Sequence, residues 1–108
     1  MSKSIQEVFK GIDFQTYAAF QNYHRDNPWI WEYFKKYALD MTARRKSYGA
    51  KAIMERARYE YDIDNSTGEA FKINNDYTSL YARLFIYYFP QHENFFEFRT
   101  LTGLRRAA

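Results

Sequence analysis

Aromatic side chains constrain this chain more than any other feature: eleven Tyr, ten Phe and two Trp make up 21% of its 108 residues. Each such ring buries roughly 150–250 Å² when it packs, so a chain carrying this many has ample material for a core. Disordered chains are poor in these residues, and a chain of this length can bury one core. A single domain over residues 1–108 is expected, with no linker, repeat or low-complexity stretch to divide it. Cysteine is absent, which removes disulfides and thiolate metal sites and favours a reducing compartment. No apolar run approaches the roughly 20 residues that cross a bilayer, and the start, MSKSIQEVFKGID, lacks the apolar region of a signal peptide. A cytoplasmic protein without membrane contact is the resulting expectation.

Periodicity supplies the elements. Ile5, Val8, Phe9 and Ile12, then Phe14, Tyr17, Phe20 and His24, mark a first helix broken near Gly11. Asn27-Pro28 is a start signal, with Asn offering a side-chain acceptor and Pro tolerated at the first helical position. The second helix then buries Ile30, Tyr33, Phe34, Tyr37, Ala38 and Met41, and shows Glu32, Lys35, Lys36, Asp40, Arg44 and Arg45 on its other side. Ser47-Tyr48-Gly49 interrupts it, Ser as a cap and Gly for its conformational freedom. A third helix at about 48–60 buries Ala50, Ile53, Met54 and Ala57.

Beyond Arg58 the period shortens. Tyr59, Tyr61 and Ile63 alternate with acids, Asp64 to Gly68 has turn chemistry, and Ala70 to Ile73 alternates again. A β-hairpin is the natural reading, with extension of the helix through the first arm as the alternative. Asn74, Asn75 and Asp76 can cap a fourth helix whose stripe is Tyr77, Leu80, Tyr81, Leu84, Phe85 and Tyr88, ending at Pro90. Phe95, Phe96, Phe98 and Leu101 suggest a short terminal helix. The stripes of helices 28–46 and 77–89 should meet, placing Phe34, Tyr37, Ile53, Leu84 and Phe85 in one core. The fold class is therefore mainly α with a β-hairpin, in the order of a winged helix-turn-helix.

Charge is uneven along this frame. The formal net charge is +3, yet residues 35–58 hold eight basic side chains against Asp40 and Glu55, while residues 59–97 hold seven acids and two bases. In a winged helix-turn-helix, helix 48–60 enters the major groove of duplex DNA. Arg44, Arg45, Lys46, Lys51, Arg56 and Arg58 are then the candidate nucleic-acid contacts, chiefly to phosphate. Asp62, Asp64 and Glu69 on the wing oppose this, since they repel phosphate.

An enzymatic reading has no support in the spacing. His24 and His92 are far apart, and there is no Gly-rich phosphate loop, nucleophile elbow, H-x-x-x-H or carboxylate cluster, so no catalytic residue, metal or cofactor is assigned. Other polar residues have structural expectations. Glu55 and Arg58 should pair at i,i+3. Arg83 should clamp a carboxylate such as Glu97 or Asp76, and His24 should cap a helix or sit at the core edge.

The string of His24 with Asn27-Pro28, Tyr48 to Ile53 with Glu55 and Arg58, Phe71 to Asn75 with Tyr77, Tyr81 to Phe85, Pro90, and Phe95 to Glu97 with Arg99 resembles a family of small bacteriophage and prophage proteins over about residues 17–101. The resemblance implies a phage origin, hence a bacterial host cytoplasm, and it implies no activity or site. Small phage proteins often bind a host protein machine. The aromatic surplus therefore sustains a second expectation: an inhibitor of a host complex, of the anti-CRISPR or anti-restriction type, or a self-associating protein. A pI near 9.1 argues against a DNA mimic.

Overall fold

In the computed structural model, which describes residues 4–66, 73 and 75–97, the aromatic stripes become five helices gathered around the last of them. They are α1 (Ile5–Val8), α2 (Phe14–Asp26), α3 (Pro28–Thr42), α4 (Ala50–Asn65) and α5 (Asn75–Tyr88), followed by a 3₁₀ turn at Pro90–His92. No described helix is long and apolar enough to cross a membrane.

The first helix is two, as the glycine suggested. Ser4 and Glu7 form a reciprocal capping box on α1. Gly11 sits at φ +88°, a conformation a β-carbon resists, and Asp13 then caps α2 through the Thr16 amide at 2.8 Å. That hydrogen bond holds the Asp13 carboxyl below its ordinary pKa. Asn27 acts differently from expectation. Its side chain makes no cap on α3; its Nδ2 instead donates to the Tyr23 carbonyl at 2.9 Å and closes the end of α2. Gly49 precedes α4 at an ordinary φ of −78°, so neither it nor Ser47 serves in the manner expected.

Helix α5 is the centre of the fold. Every residue from Leu80 to Ile86 is buried, including Arg83, so α5 is enclosed on all sides instead of carrying one stripe. Phe20 of α2 packs edge-on against Tyr81 at 4.8 Å, Phe34 of α3 tilts against the same ring, and Phe85 meets Phe96 after the 3₁₀ turn. Phe34, Tyr37, Ile53, Leu84 and Phe85 do share one core. Trp31 and Ile86 join it, whereas Tyr88, expected on the stripe, is 56% exposed.

The expected hairpin is corrected. Residues 59–63 continue α4, and there is no strand among the described residues. Of the second arm, residues 70–72 lie outside the described residues, as do Glu69 and Asn74. The reason is legible in the packing. Met54, Ala57 and Tyr61 fall at helical spacing, and Tyr61 finds partners only on that register: Trp29 stacks on it at 4.2 Å and Tyr33 meets it edge-on. Tertiary contact therefore overrides a period-2 pattern. The expected terminal helix is also not formed where it is described. Phe95 and Phe96 are buried outside any helix, and residues from Phe98 onward lie outside the described set.

Candidate nucleic-acid interface

Helices α3 and α4 form an antiparallel hairpin, and the contacts along its seam change character from one end to the other. At the far end the contacts are aromatic and acidic: Trp29 on Tyr61, and the Tyr33 hydroxyl donating to Asp64 Oδ2 at 2.7 Å. In the middle the Tyr37 hydroxyl donates to Glu60 Oε2 at 3.3 Å. Burial, with the Glu60 carboxylate adding to it, raises the Tyr37 pKa, so that hydroxyl remains a donor. Near the connecting residues 43–49 the seam turns basic.

There Asp40 is a hub. Arg44, just past the end of α3, reaches its Oδ2 at 3.2 Å, and Arg56 reaches across from α4 to the same oxygen at 3.7 Å. The Arg56 guanidinium lies over the Tyr37 ring at 4.4 Å, with the Lys36 ammonium 5.4 Å from the same centroid. Lys36, Tyr37, Leu39, Asp40, Arg44 and Arg56 line a cleft open to solvent. Three cations and one carboxylate thus line the cleft, leaving it net positive. Sequence reasoning placed Arg44 and Arg56 in the site and omitted Lys36, Tyr37 and Asp40. The regular spacing of Lys36, Asp40 and Arg44, four apart along the helix expected over 28–46, is the signal that could have found the hub.

The remaining candidates divide. Arg45 lies over the Tyr48 ring at 5.8 Å, and Tyr48 is anchored by its amide, which donates to the Phe95 carbonyl at 3.3 Å. Lys46 and Lys51 are exposed. Arg58 donates to both oxygens of Glu55, at 3.0 and 3.1 Å, as the i,i+3 spacing predicted. A helix turns about 100° per residue, so Arg56 and Lys51 stand about 140° apart on α4, with Arg58 on the Lys51 side. The six expected contacts therefore do not form one face. Arg44, Arg45, Lys46, Lys51 and Arg56 share the turn end of the hairpin, while Arg58 belongs to a local ion pair.

The two other singled-out residues are structural. Arg83 donates from Nη1 to the Ser79 carbonyl at 3.4 Å and to the Ser79 hydroxyl, one turn back on its own helix, and burial lowers its pKa. His24 packs parallel to Phe20 and edge-on to Trp31 and Tyr81, at the core edge as expected. Burial pushes its pKa down, with Glu32 opposing more weakly. Among the described residues no group of three acids, histidines or cysteines is placed to hold a metal.

Set beside family models, curated proteins and solved structures, the chain matches none. The reading of the site therefore rests on its own geometry.

Proposed function

We propose that the protein binds duplex DNA non-enzymatically through the basic end of the α3–α4 hairpin. The observation that carries this reading is the cleft that Lys36, Arg44 and Arg56 line with the carboxylate of Asp40, beside the exposed Arg45, Lys46 and Lys51 near the same end of the hairpin. Arginines held by Asp40 and the Tyr37 and Tyr48 rings lose less rotational freedom when they meet a phosphate. The connecting residues and first turn of α4 approach the duplex, while the acidic half of α4 is directed away from it. This differs from a winged helix in two respects. No wing is available at residues 59–63, and α4 packs along α3 instead of standing clear of it.

The test is a salt titration of duplex affinity by fluorescence anisotropy. Affinity should fall steeply with salt, and each removed phosphate contact should lessen the log–log slope by about 0.9. Charge reversal at Arg45 and Lys51 together should abolish measurable binding with the far-UV circular dichroism unchanged, because both side chains are exposed. Absence of duplex binding by the wild type at low salt would end this reading.

A second reading, inhibition of a phage host's protein complex, is favoured by exposed rings: Phe14 is 81% exposed and Tyr88 56%. Binding that persists in high salt and survives nuclease would support it over DNA.

A further inference from the structure

The cleft beside Asp40 holds more positive charge than its one carboxylate offsets. Among the described residues, Asp40 is the one acid that Arg44 and Arg56 reach at ion-pair distance, and Lys36 reaches none. The neighbouring acids face other partners. Glu32 pairs with Lys35 at 2.9 Å, and Glu55 pairs with Arg58. Glu60 stands one turn farther along α4, outside the lining, where it accepts from the Tyr37 hydroxyl. The lining therefore carries three positive charges and one negative, a surplus of two. Both arginines approach the same Asp40 oxygen, Arg44 through Nε and Arg56 through Nη1, which sets the two guanidinium groups side by side with further N–H groups on each. Leu39 and the Tyr37 ring add apolar wall. The volume is about 580 Å³, within the roughly 300–1,000 Å³ typical of small-molecule sites.

We propose that this cleft binds the phosphate monoester of a nucleotide, either a free mononucleotide or the phosphorylated end of a strand. A phosphate monoester carries about −1.5 to −2 charges at pH 7, whereas each phosphodiester inside a strand carries a single one. The surplus of two is matched by the first and only half matched by the second. Two adjacent guanidinium groups also present the N–H forks that phosphate oxygens accept. Asp40 adds a second selection. As an acceptor inside the lining it disfavours a bare anion and favours one that brings a donor beside its phosphate, such as a sugar hydroxyl or a base amine. The inference rests on the DNA-binding reading for its choice of a nucleotide over other phosphate monoesters. It divides that surface in two: the exposed Lys46 and Lys51 meet the duplex backbone, and the cleft takes the terminal group.

Calorimetric titration of the full chain with thymidine 5′-monophosphate tests it. The monophosphate should bind, its methyl phosphodiester should bind at least about threefold more weakly, and thymidine should not bind measurably. Arg44→Gln and Arg56→Gln should each weaken the monophosphate at least about threefold with the circular dichroism unchanged, since both side chains are exposed. Lys46→Gln with Lys51→Gln, outside the lining, should leave the monophosphate unchanged and weaken the duplex. A duplex with 5′-phosphates that binds more tightly than the same duplex with 5′-hydroxyls assigns the cleft to strand ends. Equal affinity for the two, with the monophosphate bound, assigns it to the free nucleotide. No binding of the monophosphate at millimolar concentration, equal affinity for its methyl ester, or indifference to both arginine substitutions overturns the proposal, whether or not the duplex binds. A protein that binds the monophosphate and no duplex instead removes the DNA reading and leaves the cleft a mononucleotide site.

Discussion

Helices α4 and α5 are nearly equal in length, 16 and 14 residues, and their surroundings could hardly differ more. Seven consecutive residues of α5 are buried, whereas α4 buries Ile53, Met54 and Ala57 and turns charge and two large apolar side chains outward. The enclosed helix holds the fold together, and the half-covered one is where binding can occur. Stability and recognition therefore reside on neighbouring elements, and a substitution should move one quantity with little effect on the other.

The largest expected effect lies on α5. Phe85→Ala removes a fully buried ring that touches Phe89, His92 and Phe96. It should cost about 3–5 kcal/mol in chemical denaturation. Tyr59→Ala on the outer face of α4 should stay within about 0.5 kcal/mol in the same measurement. Equal losses at the two sites would erase the contrast between the helices.

A change of opposite sign sharpens the same contrast. The Tyr81 hydroxyl and the His24 Nδ1 are both buried without a hydrogen-bond partner among the described residues, and their rings lie 5.6 Å apart. An orphaned buried hydroxyl carries its desolvation cost with no return, so Tyr81→Phe should raise stability by about 1 kcal/mol. A loss of stability on this substitution would mean that the hydroxyl has a role the contacts of α5 do not explain.

His24 makes the core edge sensitive to acid. Because burial lowers its folded pKa, the unfolded chain takes up a proton near the ordinary value of 6.5 while the folded chain resists it. The unfolded state then binds more protons, so stability rises with pH through this window. The melting temperature should be level above about pH 7 and fall as pH drops below 6.5. His24→Gln should flatten that part of the profile. A profile identical to that of the wild type would remove His24 as the cause.

The helices were largely legible because their stripes recur at the period of a helix: Ile30, Phe34, Tyr37 and Ala38 marked α3, and Leu80, Tyr81, Leu84 and Phe85 marked α5. Pro28 and Gly11 punctuated them correctly for local reasons of backbone geometry. The segment after Arg58 was misread because Tyr59, Tyr61 and Ile63 satisfy a period of two, while the deciding partners, Trp29 and Tyr33, lie some thirty residues away. The enclosure of α5 was missed for a related reason. Arg83 interrupts its apolar run, and only tertiary structure shows that the aliphatic stem and Ser79 allow burial. In the site, charge density pointed to the correct stretch of chain but not to its division. Arg58 and Arg56 are two residues apart, yet one closes a local pair with Glu55 and the other crosses to Asp40.

That division gives the smallest expected effect. The Arg58–Glu55 pair is short and its Arg is mostly covered, but the Glu side chain is 59% exposed, so water screens the attraction. Arg58→Ala should cost only about 0.3–0.5 kcal/mol from the pair, and duplex affinity should hardly change, because Arg58 lies on the flank of α4 away from the cleft. Arg56→Ala should cost about as little stability while lowering duplex affinity and reducing the salt slope by about 0.9. Side-by-side anisotropy titrations of the two variants measure whether the neighbours separate as the seam predicts. Equal losses of affinity would return Arg58 to the interface and place the DNA-contacting surface on α4 itself rather than on the turn end of the hairpin.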